Sequence, residues 1–301
     1  MKHDLLIVGA GPAGVSAALW ARSLDLEALV LERAVVGGQL HLIHFPLRNV
    51  AGSLGLTGAE LAERLAAPLC PALAPRTGAE VVALDPVVPR VTLADGETLE
   101  ARAVLLTSGA RRRTLDAPGA ARLAGHGVSH SATRDRDRFA GRDIVVVGGG
   151  DAAYENALIL ADAGCHVTLV IRGAPRARER FGERVAARRE IMVRDRAEVA
   201  EVLGGAEVRA VRLAFAGGGG ETIECAGVVV KIGMIPNSEC FRGAIELDPQ
   251  GFVRVDASLR TSHPHVWAAG DLVRPPASGI PVAWGQAAMA VESIRRALAG
   301  G

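Results

Sequence analysis

Residues 144–172 read IVVVGGGDAAYENALILADAGCHVTLVIR, and this stretch decides the fold. Four apolar residues, Ile144 to Val147, run into Gly148-Gly149-Gly150; a helix-compatible run follows at 152–163 and a second apolar run at 167–171. Strand, glycine turn, helix, strand is the unit that cradles the pyrophosphate of a dinucleotide. Gly148 permits the tight turn, Gly150 lets phosphate approach the backbone, and Ala153 keeps helix and strand close. The N–H groups at the helix start, around Asp151 and Ala152, then face the anion.

A single glycine turn carries little weight, because tight turns before helices are common. This chain has two. It opens with Leu5-Leu6-Ile7-Val8-Gly9-Ala10-Gly11-Pro12-Ala13-Gly14, which follows the same grammar. Two such units suggest two dinucleotides, and the usual pairing is a flavin with a nicotinamide. An acidic residue at the end of the second strand, about 20 residues past the glycines, binds a free ribose 2′-hydroxyl. In the first unit this is Glu32, 18 positions after Gly14, which suits FAD or NAD. In the second unit position 172, 19 after Ala153, is an arginine, with Arg176 and Arg178 close behind. Guanidinium groups there favour a 2′-phosphate, hence NADPH over NADH; the alternative is a solvated basic helix face.

The 301 residues suffice for two domains. With 34 basic and 33 acidic side chains, nothing global points to nucleic acid or membrane. No apolar run approaches a membrane span. Residues 1–4 lead at once into a strand, so the expectation is a cytoplasmic chain without a signal peptide. Cys70, Cys165, Cys225 and Cys240 show neither metal spacing nor a CxxC pair and read as small buried residues. No metal site and no catalytic acid or base is expected.

Along the chain, the pattern predicts helices at 13–24 and 58–67, the latter capped by Thr57, strands at 28–31, 80–84, 91–93 and 103–106, and a closing helix at 285–298. Residues 111–127, rich in Arg, Pro and Gly, read as a linker. Residues 129–134 read as a loop, with His130 an exposed polar residue or else a nicotinamide-side contact, and Asp135 a cap or ion-pair partner of Arg134 or Arg136. Strands at 207–215 and 221–225 flank a four-glycine turn as a hairpin. The last segment returns through His265-Val266-Trp267-Ala268-Ala269-Gly270-Asp271, so one domain is discontinuous. The expected fold is α/β, with two Rossmann-like three-layer domains: residues 1–113 and 243–301 bind FAD, and an inserted domain, 114–242, binds NAD(P)H.

Taken in order, Gly9 to Gly14, Gly37-Gly38-Gln39-Leu40, Thr107-Ser108-Gly109-Ala110, Gly148 to Ala153, Gly233 to Asn237 and Ala268 to Asp271 resemble the low-molecular-weight thioredoxin reductases. The likeness spans nearly the whole chain. It implies FAD, NADPH and a homodimer. It also implies that Asp271 bonds the flavin's ribityl or pyrophosphate region and that Asn49 sits near the isoalloxazine. Arg33, Gly38, Gln39, Leu40, Val82, Thr107 and Gly109 would flank the flavin nucleotide, with Gln286 and Ala287 at its closing helix.

The departure is at 131–135. Where those reductases carry Cys-Ala-Thr-Cys-Asp, this chain has Ser131-Ala132-Thr133-Arg134-Asp135. Dithiol exchange needs one thiolate to attack and a second thiol to resolve, so thioredoxin reduction by that route is not expected. Bacillithiol disulfide reductases place a cysteine in the first glycine motif, where this chain has Ala13. The usual Arg-Gln pair before the closing helix is replaced by Ser278-Gly279-Ile280-Pro281. Asn49 to Gly52 and Gly285 to Ala288 look more like the thioredoxin-reductase-like ferredoxin–NADP reductases, which also lack the dithiol. The expectation is an enzyme passing electrons from NADPH through FAD to ferredoxin, flavodoxin, a quinone or another small oxidant. Seven arginines within residues 172–189, together with Arg111 to Arg113, would dock an acidic partner. The alternative is a retired flavin-binding sensor or structural subunit.

Overall fold

The computed structural model describes residues 3–69, 73–274 and 277–300; Cys70 lies outside them. The chain forms two compact units, one made of the residues up to Arg111 together with those from Ile235 onward, the other of Arg112–Met234. The second unit therefore ends at Met234 and not at residue 242.

In the first unit, β1 (His3–Val8), α1 (Pro12–Ser23), β2 (Ala28–Glu32), α2 (Gly58–Ala66), β3 (Arg76–Thr77), β4 (Val81–Asp85), β5 (Arg90–Leu93) and β6 (Thr98–Leu106) precede the exit strand β7 (Ala110–Arg112). The sheet order is β3-β2-β1-β6-β5-β4, and a late strand, Val266–Ala268, pairs with the far end of β6. Strands β3, β2, β1 and β6 run parallel, whereas β4 and β5 form an antiparallel extension. Alternation along β1 fills two cores. Leu5 and Ile7 pack with α1 and the closing helix, while Leu6 and Val8 pack on the other face with Leu93, Val104 and Phe241. Full burial of such a side chain contributes roughly 1.5–3 kcal/mol. A strand covered on both faces reads as a continuous apolar run, which is why β1 is legible.

The second unit contains β8 (Val128–Ser129), α3 (Ala132–Phe139), β9 (Asp143–Val147), α4 (Asp151–Ala161), β10 (His166–Ile171), α5 (Glu179–Ala186), β11 (Ile191–Asp195), β12 (Ala197–Gly204), β13 (Val208–Phe215), β14 (Gly220–Glu224) and β15 (Gly227–Val230); β16 (Met234–Pro236) then leads back into the first unit. Its parallel sheet runs β11-β10-β9-β15-β8. Ile144 and Val146 face the three helices, and Val145 and Val147 face the antiparallel β12-β13-β14 layer. These are two Rossmann-like α/β folds. Among the described residues no helix is long and apolar enough to cross a membrane, and no group of three potential ligands could hold a metal ion.

Several local expectations need correction. Residues 111–127 are not a free linker, because Ala120 and Leu123 are buried in the second unit's core. The 129–134 segment is not a loop throughout: Val128 and Ser129 pair in parallel with Val228 and Val229, and Ser131 then caps α3 by accepting from the Arg134 N–H. His130 is accordingly half-buried rather than exposed. The closing helix, Ile280–Ala299, begins five residues early because Pro281 occupies its first turn, where no N–H is missed.

Candidate functional site

In the first unit the glycine turn joins β1 to α1. Gly9 has φ +107°, and a Cβ there would lie 2.6 Å from the Thr107 carbonyl oxygen. The Thr107 hydroxyl donates to the Val8 and Gly9 carbonyls at 3.0 and 2.8 Å, locking the turn. A Cβ on Gly14 would fall 1.8 Å from the Gly9 oxygen, so helix and turn touch there. Above Gly11 there is open space to 4 Å. Pro12 begins α1, and no side chain caps its first turn, so the leading N–H groups face that opening.

Glu32 is 8 % exposed, and its two oxygens accept from the Ala10 and Ala34 N–H groups, both at 2.8 Å. It ties the turn to the end of β2, and each oxygen keeps lone-pair capacity for a ribose hydroxyl. The Gly37 N–H donates to the Ala10 carbonyl at 2.8 Å, bringing Gly38 over Gly11, while the Gln39 amide donates to the Ala110 carbonyl and Leu40 is buried. Asp271 lies beside Gly270, whose N–H donates to Gln286 Oε1 at 2.8 Å. Its carboxylate is half-buried with no partner among the described residues, and burial pushes its pKa up. The Trp284 indole N–H is likewise buried without a partner. Unpaired polar groups of this kind fit a bound molecule rich in donors and acceptors.

Other predicted contacts are less direct. Ala287 is fully buried in the core, so its methyl group reaches no ligand. Asn49 and Arg33 are exposed, and Gly109 (φ +65°) lies next to β7. Val82 is 45 % exposed at an irregularity in β4, three residues beyond Ala79, whose N–H donates to the Glu32 carbonyl.

The second unit repeats the device. Gly148 has φ +142°, and a Cβ there would sit 2.3 Å from the Lys231 carbonyl oxygen and 3.1 Å from the Ala153 methyl. Nothing lies within 4 Å above Gly150, and α4 also lacks a side-chain cap. The Asp151 carboxylate is engaged within the protein. It accepts from the Arg178 N–H at 2.8 Å and from Arg178 Nε at 2.7 Å, which offsets its negative charge beside the glycine turn. Ala152 is exposed at the same helix start. Arg172 leaves the end of β10, and the Arg176 N–H donates to the Gly149 carbonyl at 2.7 Å. Both side chains are exposed, and neither makes an ion pair among the described residues.

The described cysteines are thiols, not a pair. Cys165 and Cys225 are buried and Cys240 half-buried, with burial pushing Cys225 up to about 12 and Cys240 to about 11. Asp135 pairs with Arg134 at 2.7 Å, as the sequence suggested. Lys231 was missed; the available signal was a charge directly after the apolar run Val228-Val229-Val230.

A model of the pyridine nucleotide-disulphide oxidoreductase family matches residues 3–293. The chain is 40% identical over 277 residues to a thioredoxin reductase of Mycolicibacterium smegmatis, covering 90% of this chain and 88% of that protein. It is 36% identical to one from Streptomyces coelicolor over 282 residues, covering 90% and 86%. Among solved structures, Lactococcus lactis thioredoxin reductase superposes with a TM-score of 0.85 at 26% identity over 100% of both chains. The T. acidophilum thioredoxin reductase gives 0.81 at 28% identity over 98% of each.

Proposed function

The chain belongs to the pyridine nucleotide-disulphide oxidoreductase family, and on that premise we propose that it carries electrons from NADPH through FAD to an external acceptor without an internal dithiol. The observation that carries this reading is the pair of open glycine turns on uncapped helices, kept alongside Ser131 and Arg134 where a relay dithiol would stand. FAD, when bound, supplies a centre that accepts hydride and releases electrons.

The protein's part is positioning, since hydride transfer asks little of side-chain acids or bases. The first turn of α1 holds the flavin nucleotide's pyrophosphate, Glu32 accepts from its ribose, and Asp271 accepts from hydroxyl donors of the flavin chain. The first turn of α4 holds the NADPH pyrophosphate, while Arg172 and Arg176 take the 2′-phosphate, which selects NADPH over NADH. The homodimer implied by the family likeness belongs to the same reading. A ferredoxin or flavodoxin is the acceptor class that suits the arginines of the second unit that form no ion pair among the described residues, namely Arg172, Arg176, Arg180, Arg184 and Arg189.

Steady-state NADPH oxidation by the FAD-loaded protein, with ferredoxin, flavodoxin, menadione and thioredoxin offered in turn, tests the proposal. Turnover with one of the first three and none with thioredoxin is expected. Turnover with thioredoxin alone contradicts it.

A further inference from the structure

The segment 172–178, between β10 and α5, carries Arg172 and Arg176 and forms neither helix nor strand. Hydrogen bonds and packing nevertheless fix its course. It passes over Gly149, where a Cβ would lie 2.9 Å from Ile171 Cγ2 and 3.9 Å from the Ala174 carbonyl oxygen. The Arg176 N–H donates to the Gly149 carbonyl at 2.7 Å. Arg178 then donates twice to Asp151, the first residue of α4: its N–H reaches one carboxylate oxygen at 2.8 Å and its Nε the other at 2.7 Å. The Arg178 guanidinium also lies over the buried Phe181 ring, 5.3 Å from its centroid, so it is held from two sides.

A pair this exposed does little for stability, since the Arg178 and Asp151 side chains keep 72 % and 39 % of their surface accessible. Its geometric effect is larger. A backbone N–H and a guanidinium N–H on the two oxygens of one carboxylate fix both distance and direction. They anchor the end of the arginine segment to the start of α4, beside the open space above Gly150. Arg172 is set at the other end by Ile171, the last residue of β10. The charge matters too: a free carboxylate at that helix start would repel a phosphate, and Arg178 neutralises it.

We propose that Asp151 is a positioning residue for the 2′-phosphate of NADPH: through Arg178 it holds the 172–178 segment against the glycine turn, so that Arg172 and Arg176 are preorganised for that phosphate. This rests on the reading of the second unit as the NADPH site. Asp151 acts through the segment and not by touching the phosphate, so its effect is confined to nucleotides that carry the 2′ group. NADH, which lacks that group, needs the glycine turn and the helix start but not the segment's position.

Equilibrium dialysis of adenosine 2′,5′-bisphosphate and of 5′-AMP against the oxidised, FAD-loaded protein tests this in wild type, Asp151→Ala, Arg178→Ala and the double variant. The expected result is a Kd for the bisphosphate raised about fivefold in each single variant and no further in the double one, with 5′-AMP binding unchanged within about twofold. The concentration dependence of anaerobic flavin bleaching should show the same split between NADPH and NADH. An equal loss for both adenine nucleotides, losses that add in the double variant, or unchanged or tighter bisphosphate binding by Asp151→Ala overturns the proposal. So does a wild type that binds the bisphosphate no better than 5′-AMP. Failure of the reductase reading itself shows separately, as absence of flavin bleaching by NADPH, and leaves the dialysis able to decide the role of Asp151.

Discussion

Asp271 holds a half-buried carboxylate whose pKa is raised by burial and which has no partner among the described residues. Bonds from a bound flavin nucleotide would offset that cost, so Asp271→Ala is predicted to lose FAD at least tenfold more readily, measured as flavin absorbance retained on dialysis. Arg172 and Arg176 make a complementary case in the second unit. A charge-assisted bond contributes about 1.5–3 kcal/mol, so Arg172→Ala and Arg176→Ala should each raise the KM for NADPH by about tenfold or more and leave that for NADH nearly unchanged. Lys231 gives a pH prediction. Its pKa of about 8 lies below the ordinary 10.5, so between those values the unfolded chain binds more protons than the folded one. Wild-type stability should therefore rise with pH across that window relative to Lys231→Met, as read by urea unfolding at a series of pH values. The glycine turns and the place of Glu32 at the end of β2 were legible because they depend on short spacing along the chain. The Asp151 carboxylate's partner, Arg178, lies 27 residues away and cannot be read from short spacing. Neither the role of Glu32 in tying Ala10 to Ala34 nor the burial of Lys231 can be read from spacing alone.

At the scale of elements, α2 shows how closely sequence grammar can fix an end. The Thr57 hydroxyl accepts from the Glu60 N–H, and the Glu60 carboxylate accepts from the Thr57 N–H at 2.7 Å, a reciprocal cap. Thr57→Ala should cost about 1 kcal/mol in urea unfolding. The glycine turns are less forgiving. Gly148→Ala would force a side chain into left-handed backbone and against the Lys231 carbonyl, so a folded variant should bind NADPH weakly while keeping FAD. One element that sequence hid was α3. Thr133-Arg134-Asp135-Arg136-Asp137-Arg138 has no apolar stripe, and only Ala132 and Phe139 at its ends are buried. Its position is instead fixed by Asn156 on α4, whose side-chain oxygen accepts from the Ala132 N–H at 2.9 Å. Strand β8 was hidden for a related reason: two residues gain meaning only by pairing with β15, about 100 positions later.

For the whole molecule, the two-unit plan followed from finding the same strand-turn-helix device twice. The first unit is discontinuous, and the chain passes between units through β7 and β16, which pair with each other. In the proposed mechanism electrons leave the flavin directly for an outside acceptor. A hydride brings two electrons, which one flavin can store; a dithiol relay would store two more. Anaerobic titration of the FAD-loaded protein with NADPH, following the flavin absorbance and the number of reactive thiols together, tests this most directly. Full bleaching at about one equivalent of NADPH per flavin with an unchanged thiol count is predicted. Bleaching that needs about two equivalents and exposes two new thiols, or no bleaching at all, would contradict it.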